Sequence, residues 1–323
     1  MALKDAGIET LPERRARCVI GSTMGSAKSI SDVFETMLPT HDISLLNSTM
    51  FFQCVAHTAA ANVSQYLNLG GLIMDTAAAC ASALQAIGTG YDMIRIGRQD
   101  VLLCGGAEEL HPTVTGSFDV LYATSAGYND NPTATPRPFD RDRDGLVCGE
   151  GSGIVVLEDY ERAIARDACI YAEITGYATS GSGSHMSQSD KGSMAWCMRS
   201  ALDEAGIKPA EVDYINAHAT ATAQGDQEEA GAIAAVFGGG VPVSSLKGYM
   251  GHTLGASGAI ELIATLEMMR RGVIYPTLNL TNVADDCAGI DHVTRKRTLA
   301  IDTILKNCFA FGGINTALVC RKL

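Results

Sequence analysis

The chain has 323 residues, with 46% apolar and 19% charged side chains, which suits two domains or one large α/β unit and argues against a disordered or fibrous protein. A net charge of −12 excludes ready binding to phosphate backbones, so no nucleic-acid partner is expected. No uncharged run reaches membrane-spanning length, no basic-then-apolar stretch stands at either end, and ten scattered cysteines form no CxxC pair, so a cytoplasmic protein with free thiols is expected.

In chain order, Cys18-Val19-Ile20-Gly21 reads as a strand end. Residues 53–67 read as a helix, and Leu72-Ile73-Met74 as a short strand. Residues 80–96 read as a helix, because Leu84, Ile87, Tyr91 and Ile94 recur at three- and four-residue steps. Val101-Leu102-Leu103-Cys104 is a buried strand expected to end at Gly105-Gly106. Another strand at 154–157 leads into a helix at 160–166. A second series follows: strand 170–175, helix 193–205, strand 212–216, strand 241–245, helix 256–271, and a strand pair near 305–309 and 317–320. Strands alternating with helices point to a layered α/β architecture of two similar halves, residues 1–168 and 169–323, with the Pro-rich stretch 132–144 as a loop inside the first.

Four places carry chemistry. Cys80 follows an apolar strand and small residues at a helix start, where backbone N–H groups and the helix dipole favour a thiolate; alone it could equally be one more buried cysteine. His218 stands at the carboxyl end of strand 212–216, where α/β proteins commonly place their sites, within His218-Ala219-Thr220-Ala221-Thr222. Lys247-Gly248-Tyr249-Met250-Gly251-His252 brings a second histidine out of a glycine-containing turn, and Glu261 follows on the next helix. Phe309-Ala310-Phe311-Gly312-Gly313-Ile314-Asn315 is a glycine turn between two strands, able to expose backbone N–H groups or to serve only as a hairpin.

Together and in this order, these motifs resemble the β-ketoacyl synthase family of the thiolase-like superfamily, over nearly the whole chain and most closely its elongating members. Gly105-Gly106-Ala107-Glu108-Glu109 and Arg137-Pro138-Phe139-Asp140 also match. The resemblance implies a layered α-β-α-β-α fold with mixed sheets and a decarboxylative condensation without metal or redox cofactor. It implies that Cys80 is the acyl-carrying nucleophile and that His218 and His252 stabilise the enolate. Lys247 and Glu261 would support the histidines, and the backbone N–H groups of Cys80 and Phe311 would form the oxyanion hole. Thr220 and Thr222 would hold the pantetheine, with Phe311 gating the acyl pocket. Acyl carrier protein would be the partner, docking on a local basic patch, and the chain would pair as a homodimer or with a related synthase subunit.

The chain departs from the family at Ala219 and Ala310, where glycines are usual, and at Ile314, where threonine is usual. An alanine at positive φ would be strained by about 1 kcal/mol or more. Family chains begin with a further strand and glycine-rich turn, expected in the middle of the first sheet; this chain opens at a segment resembling the helix that follows them. Two other readings compete. A degradative thiolase would put a second cysteine where this chain has Phe311-Gly312-Gly313. A non-catalytic subunit that shapes a partner's pocket would usually lose the nucleophile.

Overall fold

The apolar runs become the strands of two mixed sheets, in a computed structural model that describes residues 1–11 and 15–323. The first sheet holds β1 (Ala16–Gly21), β2 (Ile73–Met74), β3 (Val101–Glu108) and β4 (Gly151–Glu158), in the order β2-β1-β3-β4. Next come β5 (Glu173–Gly181), β6 (Tyr214–Asn216), β7 (Pro242–Ser244), β8 (Val273–Ile274), β9 (Asp291–His292), β10 (Arg297–Thr298), β11 (Thr303–Ala310) and β12 (Ile314–Arg321). β8 and β10 form a small ribbon, and the other six build the second sheet in the order β5-β12-β11-β6-β7-β9.

Two helices, Ser82–Arg95 and Ser257–Arg271, lie between the sheets. Leu84 and Ile87 of the first and Leu262 and Met268 of the second join one buried cluster with Val19 and Leu102 of the first sheet and Ile304 and Leu318 of the second. Each such side chain stabilises by roughly 1.5–3 kcal/mol through burial. The helices cross closely: a Cβ on Gly258 would stand 2.9 Å from both Cβ and N of Leu84, so only glycine fits there. Outside, Thr58–Tyr66 covers β1, and Lys191–Ala205 covers β5 and β12. The result is the expected five-layer α-β-α-β-α arrangement.

Several local expectations change. The helix foreseen at 53–67 is two helices, Met50–Cys54 and Thr58–Tyr66, because Val55 turns extended; a Cβ on Gly25 would come within 2.7 Å of its carbonyl oxygen. β3 does not end at Gly105-Gly106 but continues to Glu108, and Gly106 lies too close to the Gly255 carbonyl for any side chain. The strand foreseen at 170–175 starts at Glu173 and runs to Gly181. Helices Ala27–Met37, Pro112–Val120 and Ala223–Phe237 were not expected.

The first sheet also has no central gap: β1 pairs with β2 and β3, and β3 pairs along its whole length with β4. In the second sheet the antiparallel pair β11–β12 carries β5 along the outer edge of β12. The matching pair β3–β4 has no strand beyond β4 among the described residues. The place in the first sheet that corresponds to β5 is therefore the edge beside β4, not the middle. A cavity of about 850 Å³ runs along β4 and both central helices, and it touches none of the candidate site residues.

Candidate active site

Cys80 sits in a 3-10 turn, Ala79–Ala81, that feeds the helix Ser82–Arg95. Ser82 ties the turn down: its Oγ accepts from Ala78 N–H at 2.9 Å and donates to the Ala79 carbonyl at 2.7 Å. Gly21 at the end of β1 presses against this point, since a Cβ there would meet the Ser82 backbone at 2.6 Å. Ala79 is held at φ +46°. The thiol is thus placed by small residues and backbone contacts, with Val114 and Leu254 packed around it.

The expected thiolate is not what this environment favours. Cys80 is 3% exposed, and burial pushes its thiol up to about 12, with Lys247 opposing the shift only in part. The magnitudes explain the direction. A helix start contributes at most about 2 kcal/mol, under two pK units, whereas full burial can shift a group by 3–5 units. At neutral pH the resting group is a thiol.

The histidines come from the second half. His218 follows β6, and its N–H donates to Glu229 Oε1 at 2.8 Å while Ala219 N–H donates to Oε2 at 2.6 Å. His252 is fixed by the first half: its N–H donates to the Val147 carbonyl at 2.7 Å and its carbonyl accepts from Gly149 N–H at 2.9 Å. The rings meet edge to face with centroids 5.2 Å apart. One side-chain donor atom from each of Cys80, His218 and His252 lies within 4.8 Å of the others, and all three residues are buried. Burial, with the charges of Lys247 and Lys306, holds both imidazoles well below the usual histidine range, so both are neutral at pH 7. Among the described residues, Nδ1 of His218 and both ring nitrogens of His252 have no hydrogen-bond partner.

Beneath the histidines lies a dry ionic cluster. Lys247 Nζ donates to Glu261 Oε1 at 2.6 Å, and Lys306 Nζ donates to Oε2 of the same carboxylate. All three side chains are fully buried. Burial raises Glu261 towards its neutral form, but the two ammonium groups outweigh this and hold it below its ordinary value. Two buried carboxylates beside it escaped the sequence reading. Glu229 caps the His218–Ala219 peptides, and Asp226 accepts from Phe139 N–H at 2.7 Å and Ala221 N–H at 3.1 Å. Burial raises Asp226 to about 7. The signal was present: Asp226 and Glu229 are one helical turn apart and share a face.

The closing turn and the threonines complete the wall. Cys80, His218, His252, Thr220, Thr222, Ala310 and Phe311 all border a cavity of about 40 Å³. Thr220 Oγ1 and Thr222 Oγ1 are 3.1 Å apart. Phe311 is half-buried, 5.8 Å from the Phe118 ring, and Gly312 N–H is held by the Met186 carbonyl at 2.7 Å. The strain foreseen at Ala219 and Ala310 does not arise, since neither has a positive φ; Ala79 and Ala221 do.

The sequence matches the family description "Beta-ketoacyl synthase, N-terminal domain" over residues 1–163 and "Beta-ketoacyl synthase, C-terminal domain" over residues 171–281. It is 34% identical over 328 residues to the 3-oxoacyl-acyl-carrier-protein synthase 1 of Escherichia coli, covering 100% of this chain and 80% of that protein. The crystal structure of a β-ketoacyl synthase from Burkholderia phymatum superposes with a TM-score of 0.94 at 46% identity, over 99% of this chain and 78% of the other. A ketosynthase bound to a hexaketide, in complex with its type II polyketide acyl-carrier protein, superposes with a TM-score of 0.96 at 33% identity, over 100% and 82% of the two chains.

Proposed function

The chain belongs to the β-ketoacyl synthase family, and we propose that Cys80, His218 and His252 are the groups with which it joins an acyl thioester to malonyl-acyl carrier protein. The reaction is a decarboxylative Claisen condensation giving a β-ketoacyl-carrier protein. The observation that carries the assignment of residues is the convergence of one buried thiol and two buried neutral imidazoles within 4.8 Å.

Acylation comes first. As Cys80 Sγ attacks the acyl carbonyl, a neighbouring neutral imidazole accepts the thiol proton and passes it to the departing carrier thiolate. No free thiolate has to stand in the dry site. The oxyanion forms against the Cys80 and Phe311 backbone N–H groups. Malonyl-carrier protein then loses CO2. Enolate charge builds on its thioester oxygen, and the Nε2–H groups of the two imidazoles donate to it. Only a neutral histidine can offer one N–H while leaving the site uncharged, which is the state that burial and the two lysines enforce. The enolate carbon attacks the acyl-Cys80 carbonyl, the carbon–sulfur bond breaks, and the departing thiolate takes up one proton from solvent to restore the thiol.

The threonine hydroxyls Thr220 and Thr222 suit the amides of a pantetheine arm. A cavity of about 40 Å³ is too small for an acyl chain, so Phe311 swings away from Phe118 to admit it. The acidic carrier protein meets a local basic patch despite the net charge of −12. Ten unpaired cysteines support a cytoplasmic setting, and no helix among the described residues is long and apolar enough to cross a membrane.

The test separates the two half-reactions. His218→Ala and His252→Ala should each slow malonyl-carrier decarboxylation by about a hundredfold or more, and the variant that also loses acylation of Cys80 identifies the imidazole that accepts the thiol proton. Unchanged decarboxylation in either variant removes that histidine from the mechanism.

A further inference from the structure

We infer that Lys306 is a positioning residue for this condensation, a second buried ammonium that shares Glu261 with Lys247 and balances Glu229 under the His218 turn; the inference rests on the assignment of His218 and His252 above. Lys306 lies in the middle of β11, within Thr303–Ala310, where its neighbours are otherwise mostly apolar and wholly buried. A lysine is almost never buried so completely without partners, because removing an ammonium from water is expensive. Here two acceptors hold it. Its Nζ donates to Glu261 Oε2 and, at 2.8 Å, to the Asn307 carbonyl.

The sharing is the informative feature. Glu261 gives one oxygen to each lysine, so the three groups together carry one surplus positive charge. The compensating group is Glu229, on the helix Ala223–Phe237: burial raises its carboxyl, while the His218 and Ala219 N–H groups it holds and both lysines oppose that shift and favour the carboxylate. Asn307, next to Lys306 on β11, links the two sides through a 3.4 Å hydrogen bond from Nδ2 to Glu229 Oε1. Lys247, Lys306, Glu261 and Glu229 therefore sum to zero in a space without water to screen them. The other titratable groups facing Lys306 are Tyr214 on β6 and Cys308 on its own strand. Burial pushes both up, so both stay neutral and do not alter the sum.

The consequence concerns protons at the histidines. Lys306 contributes to holding His218 and His252 neutral. Without it the cluster carries one uncompensated negative charge, which favours an imidazolium. An imidazolium resists accepting the thiol proton and leaves a positive charge where a neutral donor is needed. Removing Lys306 raises the histidine pKa values, so the neutral form is lost at a higher pH on acidification. The acid limb of decarboxylation moves up, not down.

The experiment measures malonyl-carrier decarboxylation against pH for the full chain, its Lys306→Met variant and the double variant Lys306→Met/Glu229→Gln. Acylation of Cys80 is followed in parallel. We expect the acid limb to rise by about one pH unit in Lys306→Met. We expect it to fall back towards that of the unaltered chain in the double variant, where the charge sum is again zero. A folded Lys306→Met variant with an unmoved limb overturns the inference, as does a shift that persists in the double variant. If the single variant does not fold, the double variant decides: recovery of folding and of the original limb supports charge balance, and failure of both refutes it. Failure of Cys80 to acylate in the unaltered chain would instead refute the assignment of the site.

Discussion

Both central helices are entered through a 3-10 turn whose first residue has φ +46°: Ala79 before Ser82–Arg95, and Leu254 before Ser257–Arg271. The second residue of each turn is where they part. In the first half it is Cys80, whose side chain faces the site cavity. In the second it is Gly255, with no side chain, whose N–H donates to Glu108 Oε2 at 2.9 Å. Glu108 also accepts from Thr23 N–H at 3.0 Å, so the second turn is locked to the first sheet. One turn presents a buried thiol to the site cavity; its twin fastens the second sheet's helix to the first sheet. The charged groups divide the same way. Lys247, Lys306, Glu261, Glu229 and both histidines come from the second half, and the first half supplies the thiol together with the single carboxylate Glu108 that holds the second turn. The same backbone thus presents a thiol or makes a close contact according to one side chain.

Exchanging the features of the two turns tests this division. The largest effect is expected at Gly255→Ala, where a Cβ would stand 2.6 Å from Glu108 Oε2, 2.9 Å from Thr23 N and 3.1 Å from Ser22 Cα. Overpacking against backbone should destabilise by about 2–3 kcal/mol, seen as a fall of several degrees in Tm. A Tm unchanged by Gly255→Ala would show that the second turn is not a close contact. The smallest effect is expected at Ala79→Gly. Relief of the left-handed conformation stabilises by about 1 kcal/mol, and the added freedom of glycine in the unfolded chain offsets most of it. Thermal unfolding should move by less than about 0.5 kcal/mol. A much larger gain would mean that the Cys80 turn stores strain that its twin does not.

The halves were unevenly legible in the sequence. The helix Ser82–Arg95 was clear because Leu84, Ile87, Tyr91 and Ile94 form a regular apolar stripe. The helix Ala223–Phe237 was missed because its buried face includes Asp226 and Glu229 beside small alanines, so apolar periodicity does not describe it. Lys306 was missed for a related reason, since a lysine inside an apolar strand reads as a surface residue until its partner Glu261, 45 positions away, is placed beside it. Motif order grouped Cys80, His218 and His252, whose side chains converge, but it did not give the charge state of Cys80. Helix-end position was visible in the sequence, whereas the burial that outweighs it depends on Val114, Leu254 and Ala27 arriving from elsewhere. That β4 has no further strand beside it among the described residues became evident only when the second sheet showed what lies beside its counterpart, β12.

The claim that the first turn carries the nucleophile is tested most directly by incubating the protein with an acyl-carrier thioester and weighing its peptides. The account predicts one added acyl mass on the peptide containing Cys80, absent in Cys80→Ala while the fold persists, because that change removes only one buried sulfur. An acyl adduct on any other of the ten cysteines, with Cys80 unmodified, would contradict it.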